Sequence, residues 1–255
     1  MVDVIGILTG SENPAVYWRV LKNRLLKEGA NETVTNCNGL KLPASDGKNR
    51  VTDCANTETL FRLLMSVPSP QAEPFKLWLA RVGKERIDEI ENPELAAERA
   101  RSYYKAMGYD DAWIEMRLKT IDVRSQLTDE WKGRGVKEGQ EYAILTAEIS
   151  KATFGMTPSE YKDLKDLKKE NLRDHMSNLE LIFTMLGEET TRTKAINTDA
   201  QGFVENRKVA IEAGTSAGKA LETFESDSGV KVISESNFKA QIEEAKLKGI
   251  ENKEK

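Results

Sequence analysis

Arg19, Lys22, Asn23 and Lys27 recur at steps of three, one and four, a spacing that gathers side chains on one side of an α-helix. Three are cations suited to phosphate oxygens, and Asn23 is a residue type that can pair with the edge of a base. Across the same helix, Tyr17, Trp18, Leu21 and Leu25 share an apolar side. One face is expected to pack while the other meets phosphate.

Other chemistry is sparse. The one histidine, His175, sits in a stretch read as a charged helix and is expected to be a solvent or network residue. It supports neither a His-based triad nor the usual His-rich metal site. AGTSAGKA (213–220) suggests a phosphate loop, but three residues separate Gly214 from Gly218, and Lys219 is followed by Ala220, so it is not a Walker A motif. CxxC, GxGxxG and HExxH do not occur. No catalytic residue, metal ligand or cofactor is assigned, and an enzyme is the third choice, needing carboxylates assembled from separate helices. Cys37 and Cys54 flank Asp46-Gly47 and are read as reduced thiols.

The elements that must hold the basic face can be read from their punctuation. Thr9, Gly10 and Ser11 break an apolar run that ends at Leu8. Asn13 is a candidate N-cap and Pro14 suits the first helical position, so a short helix, a tight turn and a second helix over 13–28 form a helix-turn-helix. Val34–Leu42 and Arg50–Cys54 are strand-like around PASDGKN, whose Asp-Gly favours a hairpin; Lys41, Lys48 and Arg50 would decorate this wing. A helix then starts near Asn56 or Thr57 and stops before Pro68. Phe75, Trp78, Leu79 and Val82 follow at i, i+3, i+4 and i+7 and are read as core. Lys76, Arg81, Lys84 and Arg86 form a second basic cluster, balanced by Glu85, Asp88 and Glu89.

From Asn92 the pattern is helix after helix. Ala96, Ala100, Tyr103, Tyr104 and Met107 form the inner stripe of the first, which Gly108 ends. Asp110 or Asp111 starts the next, which continues towards Trp131; Tyr142, Leu145, Ile149 and Ala152 align on another. Thr157, Pro158 and Glu160 make a capping-box start for a long charged helix, and Leu179, Ile182, Met185 and Leu186 give a last apolar stripe. Beyond Thr193, isolated Phe203, Phe224 and Phe238 suggest loosely packed helices or a docking segment, with a frayed end over 243–255.

The reading is therefore an α+β, mostly α chain with three parts: 1–90, 91–195 and a polar, partly ordered 196–255. Its 255 residues include 31% charged and 39% hydrophobic side chains and carry a net charge of −4, so contact with nucleic acid must come from a local patch. No apolar run approaches the roughly 20 residues of a membrane span, and Met1-Val2-Asp3 does not open a signal peptide. A cytoplasmic location without membrane attachment is expected.

DVIGILTGSENPAVYWRVLK (3–22) followed by TDCANTETLFRLLMSVPSPQAEPFKLWLARVG (52–83) resembles the Bro-N domain of prophage antirepressor-type proteins. DLKKENLRDHMSNLELIFTMLGEETTR (166–192) and GFVENRKVAIEAG (202–214) are similar to the C-terminal half of the DNA-damage-inducible D proteins, which also carry a Bro-N-like front end. The resemblance implies DNA binding, with 13–28 as the reading helix and the hairpin as wing. It also implies a second option, in which the chain holds a phage repressor or a DNA-repair protein. Homo-oligomerisation is left open. Members of the family usually carry a further β-hairpin before the DVxxxL helix, where this chain has Met1 and Val2; either the start is assigned late or the strands are absent, which would leave an incomplete sheet with an exposed edge.

Overall fold

The structure is a computed structural model that describes residues 1–43 and 47–239. It is 70% helical with one small antiparallel hairpin, an α+β, mostly α fold. Contacts divide the chain into two units between Ala96 and Ala97.

In the first unit, α1 (Val2–Thr9) ends at Gly10, whose φ of 63° is the left-handed conformation that a glycine adopts without a steric penalty. Four residues later α2 (Pro14–Lys27) begins, with the Asn13 side chain accepting the Val16 N–H at 3.3 Å. The expected helix-turn-helix and its cap are thus present. A short α3 (Asn31–Thr35) leads into β1 (Asn38–Pro43) and β2 (Asn49–Cys54). Their antiparallel register pairs Lys41 with Val51 and Leu42 with Arg50. Asp46, on which the hairpin expectation rested, lies outside the described residues, as does the 243–255 end. Two helices, α4 (Thr57–Met65) and α5 (Glu73–Glu91), complete the unit, α4 being capped by Asn56. Ile5, Leu8, Trp18, Leu21, Leu25, Leu63, Leu64 and Val67 form its core.

Here the periodicity of 75–82 misleads. Phe75, Trp78 and Val82 are 51%, 48% and 40% exposed, and only Leu79 of that stripe packs on the core. The amphipathic spacing is real, but Leu63 and Leu64 of α4 with Val67 and Ala72 already belong to the core, and of the α5 stripe only Leu79 reaches it.

The second unit runs through α6 (Glu94–Ala106), α7 (Asp111–Gly133), α8 (Gln140–Phe154), α9 (Pro158–Leu164), a 3-10 turn (Leu172–His175), α10 (Asn178–Thr198) and α11 (Gly202–Ser228). Asp110 caps α7 and the capping box of Thr157 and Glu160 starts α9, as the sequence suggested. That helix is short: it ends at Lys165 and Asp166, the latter at φ 52°, so no long charged helix forms.

The stretch from 196, read as loosely packed helices or a docking segment, carries the 27-residue α11, packed on α8 and α10. Ala210, Ala213, Gly214, Ala217 and Gly218 form its inner stripe. A Cβ on Gly214 would lie 2.7 Å from Ala152 Cβ, and one on Gly218 would lie 2.5 Å from the Ala152 carbonyl oxygen. AGTSAGKA is therefore a close-packing surface within a helix.

Two further readings change. Tyr103 and Met107 face outward from α6, while Tyr104 joins the core beside Tyr109 and Trp113. Ile182 and Leu186 are each 39% exposed, because the inner face of α10 is lined by Leu181, Thr184, Glu188 and Thr191. Apolar periodicity could not find a face this polar. Its charges are paired: Glu180 takes Lys165 Nζ at 2.8 Å and the Tyr161 hydroxyl. Burial and the Glu180 charge push the Tyr161 pKa well up.

Residues 230–239 run as an extended strap over this core. Val232 is buried, Lys165 donates to the carbonyls of Ser234 and Ser236, and Phe238 packs against Tyr109 and Trp113. His175 is buried in the 3-10 turn, and its Nδ1 accepts the Phe238 N–H at 3.1 Å. It is a network residue, but not a solvated one on a helix.

Gly218→Ala should destabilise the second unit by about 1–3 kcal/mol, because the added methyl meets backbone that cannot rotate away; thermal unfolding followed by circular dichroism checks this.

Burial lowers the His175 pKa below its ordinary 6.5. In the window below that value the unfolded chain takes up the proton first, so stability present at neutral pH is lost as pH falls through the folded value. Protection of the Phe238 amide against hydrogen exchange, taken relative to the intrinsic rate at each pH, should fall on acidification from pH 7 in the native chain, and this loss of protection should be absent in His175→Gln.

Candidate nucleic-acid interface

The sequence PAVYWRVLKNRLLK makes α2 a helix with four basic residues and no acidic one. Trp18, Leu21 and Leu25 are 4%, 2% and 0% exposed and fix its inner side rigidly to the core. Arg19, Asn23 and Lys27, spaced four apart, are all exposed. Arg19 and Lys27 have no ion pair among the described residues. Val16, Val20 and Leu26 are interleaved with them on the solvent side, so the face is mixed rather than wholly basic.

The structure separates Lys22 from this group. Its ammonium is 2.7 Å from Asp53 Oδ2 at the end of β2, and the Trp18 Nε1–H donates to the same oxygen at 2.7 Å. These two donors hold the Asp53 carboxyl below the ordinary carboxylate range. Lys22 faces the hairpin because its position on the helix lies between the buried stripe and the outer face. Arg24 is likewise engaged, with Glu28 at 3.5 Å and with the Ser66 carbonyl.

The wing residues divide too. Cross-strand partners share a face, so Lys41 lies with Val51 and Asp53 on the side that meets α2, whereas Arg50 lies with Leu40 and Leu42 on the other. Lys41, Lys48 and Arg50 are exposed, and Lys48 and Arg50 each hold an interaction of their own. Of the seven residues expected at the interface, Arg19, Asn23 and Lys27 share one surface, Lys41 lies on the hairpin face turned to α2, and Lys22, Lys48 and Arg50 are otherwise engaged.

Asp53 is the positioning residue that sequence reasoning missed. Its signal was weak, a lone acidic residue three positions from Arg50 in a strand, and no local pattern names a partner on a helix more than 30 residues away. Cys37 and Cys54 are unpaired thiols, and the register places Asn38, not Cys37, opposite Cys54. Among the described residues no group of three or more His, Cys, Asp or Glu side chains is placed to hold a metal ion, and no helix is long and apolar enough to cross a membrane.

No protein-family model matches the chain, and a search of curated proteins gives no match.

The two tryptophans distinguish core from surface. Trp18→Ala should cost about 3–5 kcal/mol in the first unit, as for other buried aromatic truncations. Trp78→Ala should cost about 1 kcal/mol or less, since it gives up chiefly the edge contact with Phe61 at 6.1 Å between ring centroids. Denaturant titration of both variants measures the difference.

Proposed function

We propose that this chain is a DNA-binding regulatory protein of prophage antirepressor type, acting in the cytoplasm and holding DNA through α2 and the hairpin. The observation that carries the reading is the outer face of α2. There Arg19 and Lys27 stand exposed and, among the described residues, without ion pairs on either side of Asn23, on a helix clamped from behind by Trp18, Leu21 and Leu25. A rigid helix that follows a four-residue turn and presents basic and amide side chains outward suits docking in the major groove. The resemblance of 3–22 and 52–83 to Bro-N domains supports it further.

Few phosphates are contacted on this reading. Arg19, Lys27 and Lys41 together would give a log–log salt slope of about −2 to −3, equivalent to roughly a forty-fold loss of affinity between 50 and 200 mM salt at the steep end. The net charge of −4 adds no attraction of its own.

A second reading is favoured by a different surface. Phe61 and Met65 on α4, with Phe75, Trp78 and Val82 on α5, leave large apolar side chains in solvent on two consecutive helices. Such a face suits a protein partner, a repressor or a DNA-repair protein, in an antirepressor or damage-response modulator.

Fluorescence anisotropy with labelled duplex and single-stranded DNA at low and near-physiological salt tests the first reading. Arg19→Glu combined with Lys27→Glu should abolish salt-sensitive binding without loss of helicity, because both side chains are exposed. Lys22→Glu is a poor substitute, since it sets a second carboxylate against Asp53. Absence of binding by the folded wild-type chain at low salt would transfer the assignment to the protein-partner reading.

A further inference from the structure

Within the second unit, α8, α9, the 3-10 turn and α10 enclose a pocket of about 270 Å³. Ile149, Phe154, Leu172 and Met176 supply an apolar wall, and Glu188, Arg173 and Lys162 supply charge. The Glu188 side chain is 2% exposed, and its Oε1 receives Arg124 Nη1 at 3.3 Å and Arg173 Nη2. Among the described residues its Oε2 accepts no hydrogen bond, and Arg173 Nε donates none. Buried carboxylate oxygens are rarely left in this condition, because desolvation is then uncompensated.

The pocket's own hydroxyls do not supply the missing donor. Thr146 donates to the Tyr142 carbonyl at 2.6 Å, Ser150 to Met156 at 2.9 Å, Thr153 to Gly214 at 3.4 Å and Thr184 to Glu180 at 2.8 Å. Each proton is committed to backbone. Glu188 Oε2 is thus left without a donor from the pocket's hydroxyls.

Charge narrows the class. Glu188 already serves two guanidinium groups, and Lys162 has no ion pair among the described residues, so the walls keep a positive excess that a simple amine would not relieve. An anionic group beside Arg173 and Lys162 would. Burial also lowers the Arg124 pKa, as expected for a cation held out of water. The volume admits a molecule of roughly ten non-hydrogen atoms.

We infer that this pocket binds an apolar α-amino acid, its carboxylate toward Arg173 and Lys162, its ammonium toward Glu188 Oε2, and its side chain against Ile149, Phe154 and Met176. The three requirements, an anion, an N–H donor and an apolar body, are each set by a different wall, and one small zwitterion meets them together. This site lies apart from the α2 surface and does not depend on the DNA-binding reading.

Calorimetry and thermal shift on the full chain test it with L-leucine, L-methionine and L-phenylalanine as probes. 4-Methylpentanoate lacks the ammonium, 3-methylbutylamine lacks the carboxylate, and adenosine monophosphate is an anion of another class. Saturable binding of at least one amino acid is expected at millimolar concentration, with 4-methylpentanoate weaker by about ten- to a hundredfold, the range of a hydrogen bond to a charged group, and with no binding of the amine. Lys162→Ala, a partly exposed position without an ion pair, should keep the fold and weaken the amino acid. Glu188→Gln should remove the advantage of the amino acid over 4-methylpentanoate, a change of preference that mere loosening of the fold would not produce. Binding of none of the amino acids, equal binding of 4-methylpentanoate or the amine, or preference for the nucleotide would each overturn the assignment.

Discussion

The Asp53 carboxylate governs the first unit. One oxygen gathers the Trp18 indole N–H and the Lys22 ammonium, and so ties the end of β2 to the middle of α2. A two-stranded hairpin alone is at best marginally stable in water, and both strands here are largely exposed. The tie gives the hairpin a fixed place against the helix. It also takes Lys22 into the fold, as Glu28 and the Ser66 carbonyl take Arg24, so that Arg19 and Lys27 remain outside. Interface and scaffold thus compete for the same basic helix.

The second unit is organised by a different constraint. The glycines and alanines of α11 let its backbone approach α8 closely, and little space remains between these helices for side chains. Bulk and charge are accommodated instead along α10, where Glu180 and Glu188 are buried and paired with cations from α7, α9 and the 3-10 turn. Buried pairs of this kind contribute less to net stability than to geometry, since desolvation offsets much of the attraction. What they provide is direction. The pairing at Glu180 positions Lys165 to hold the strap through the carbonyls of Ser234 and Ser236, while the pairing at Glu188, a residue of the pocket wall, leaves one carboxylate oxygen without a donor.

The two units differ in how completely they cover their apolar side chains. In the second, Trp113, Tyr109 and Phe238 are brought together by residues distant in sequence, and the strap closes over them. In the first, Phe75, Trp78 and Val82 stay in solvent on a helix whose spacing is that of a packed one. An amphipathic stripe states that a helix has a side suited to burial. Whether that side is buried depends on what stands opposite.

Local stereochemistry was legible in the sequence. Gly10, Asn13, Asn56, Asp110 and the pair Thr157 and Glu160 mark helix ends through contacts spanning a few residues, and the structure keeps all of them. The mostly helical class, the hairpin and the inner stripe of α2 were likewise readable, because 3.6- and 2-residue periods are properties of the chain itself. Tertiary structure decided the rest: that Lys22 belongs to Asp53, that Arg50 and Lys41 lie on opposite faces, that α10 turns charge inward, and that the polar stretch after 196 is a packed helix followed by a strap. Each depends on a partner tens of residues away. Residue type and spacing along one helix carry no record of which charge will stand across from it.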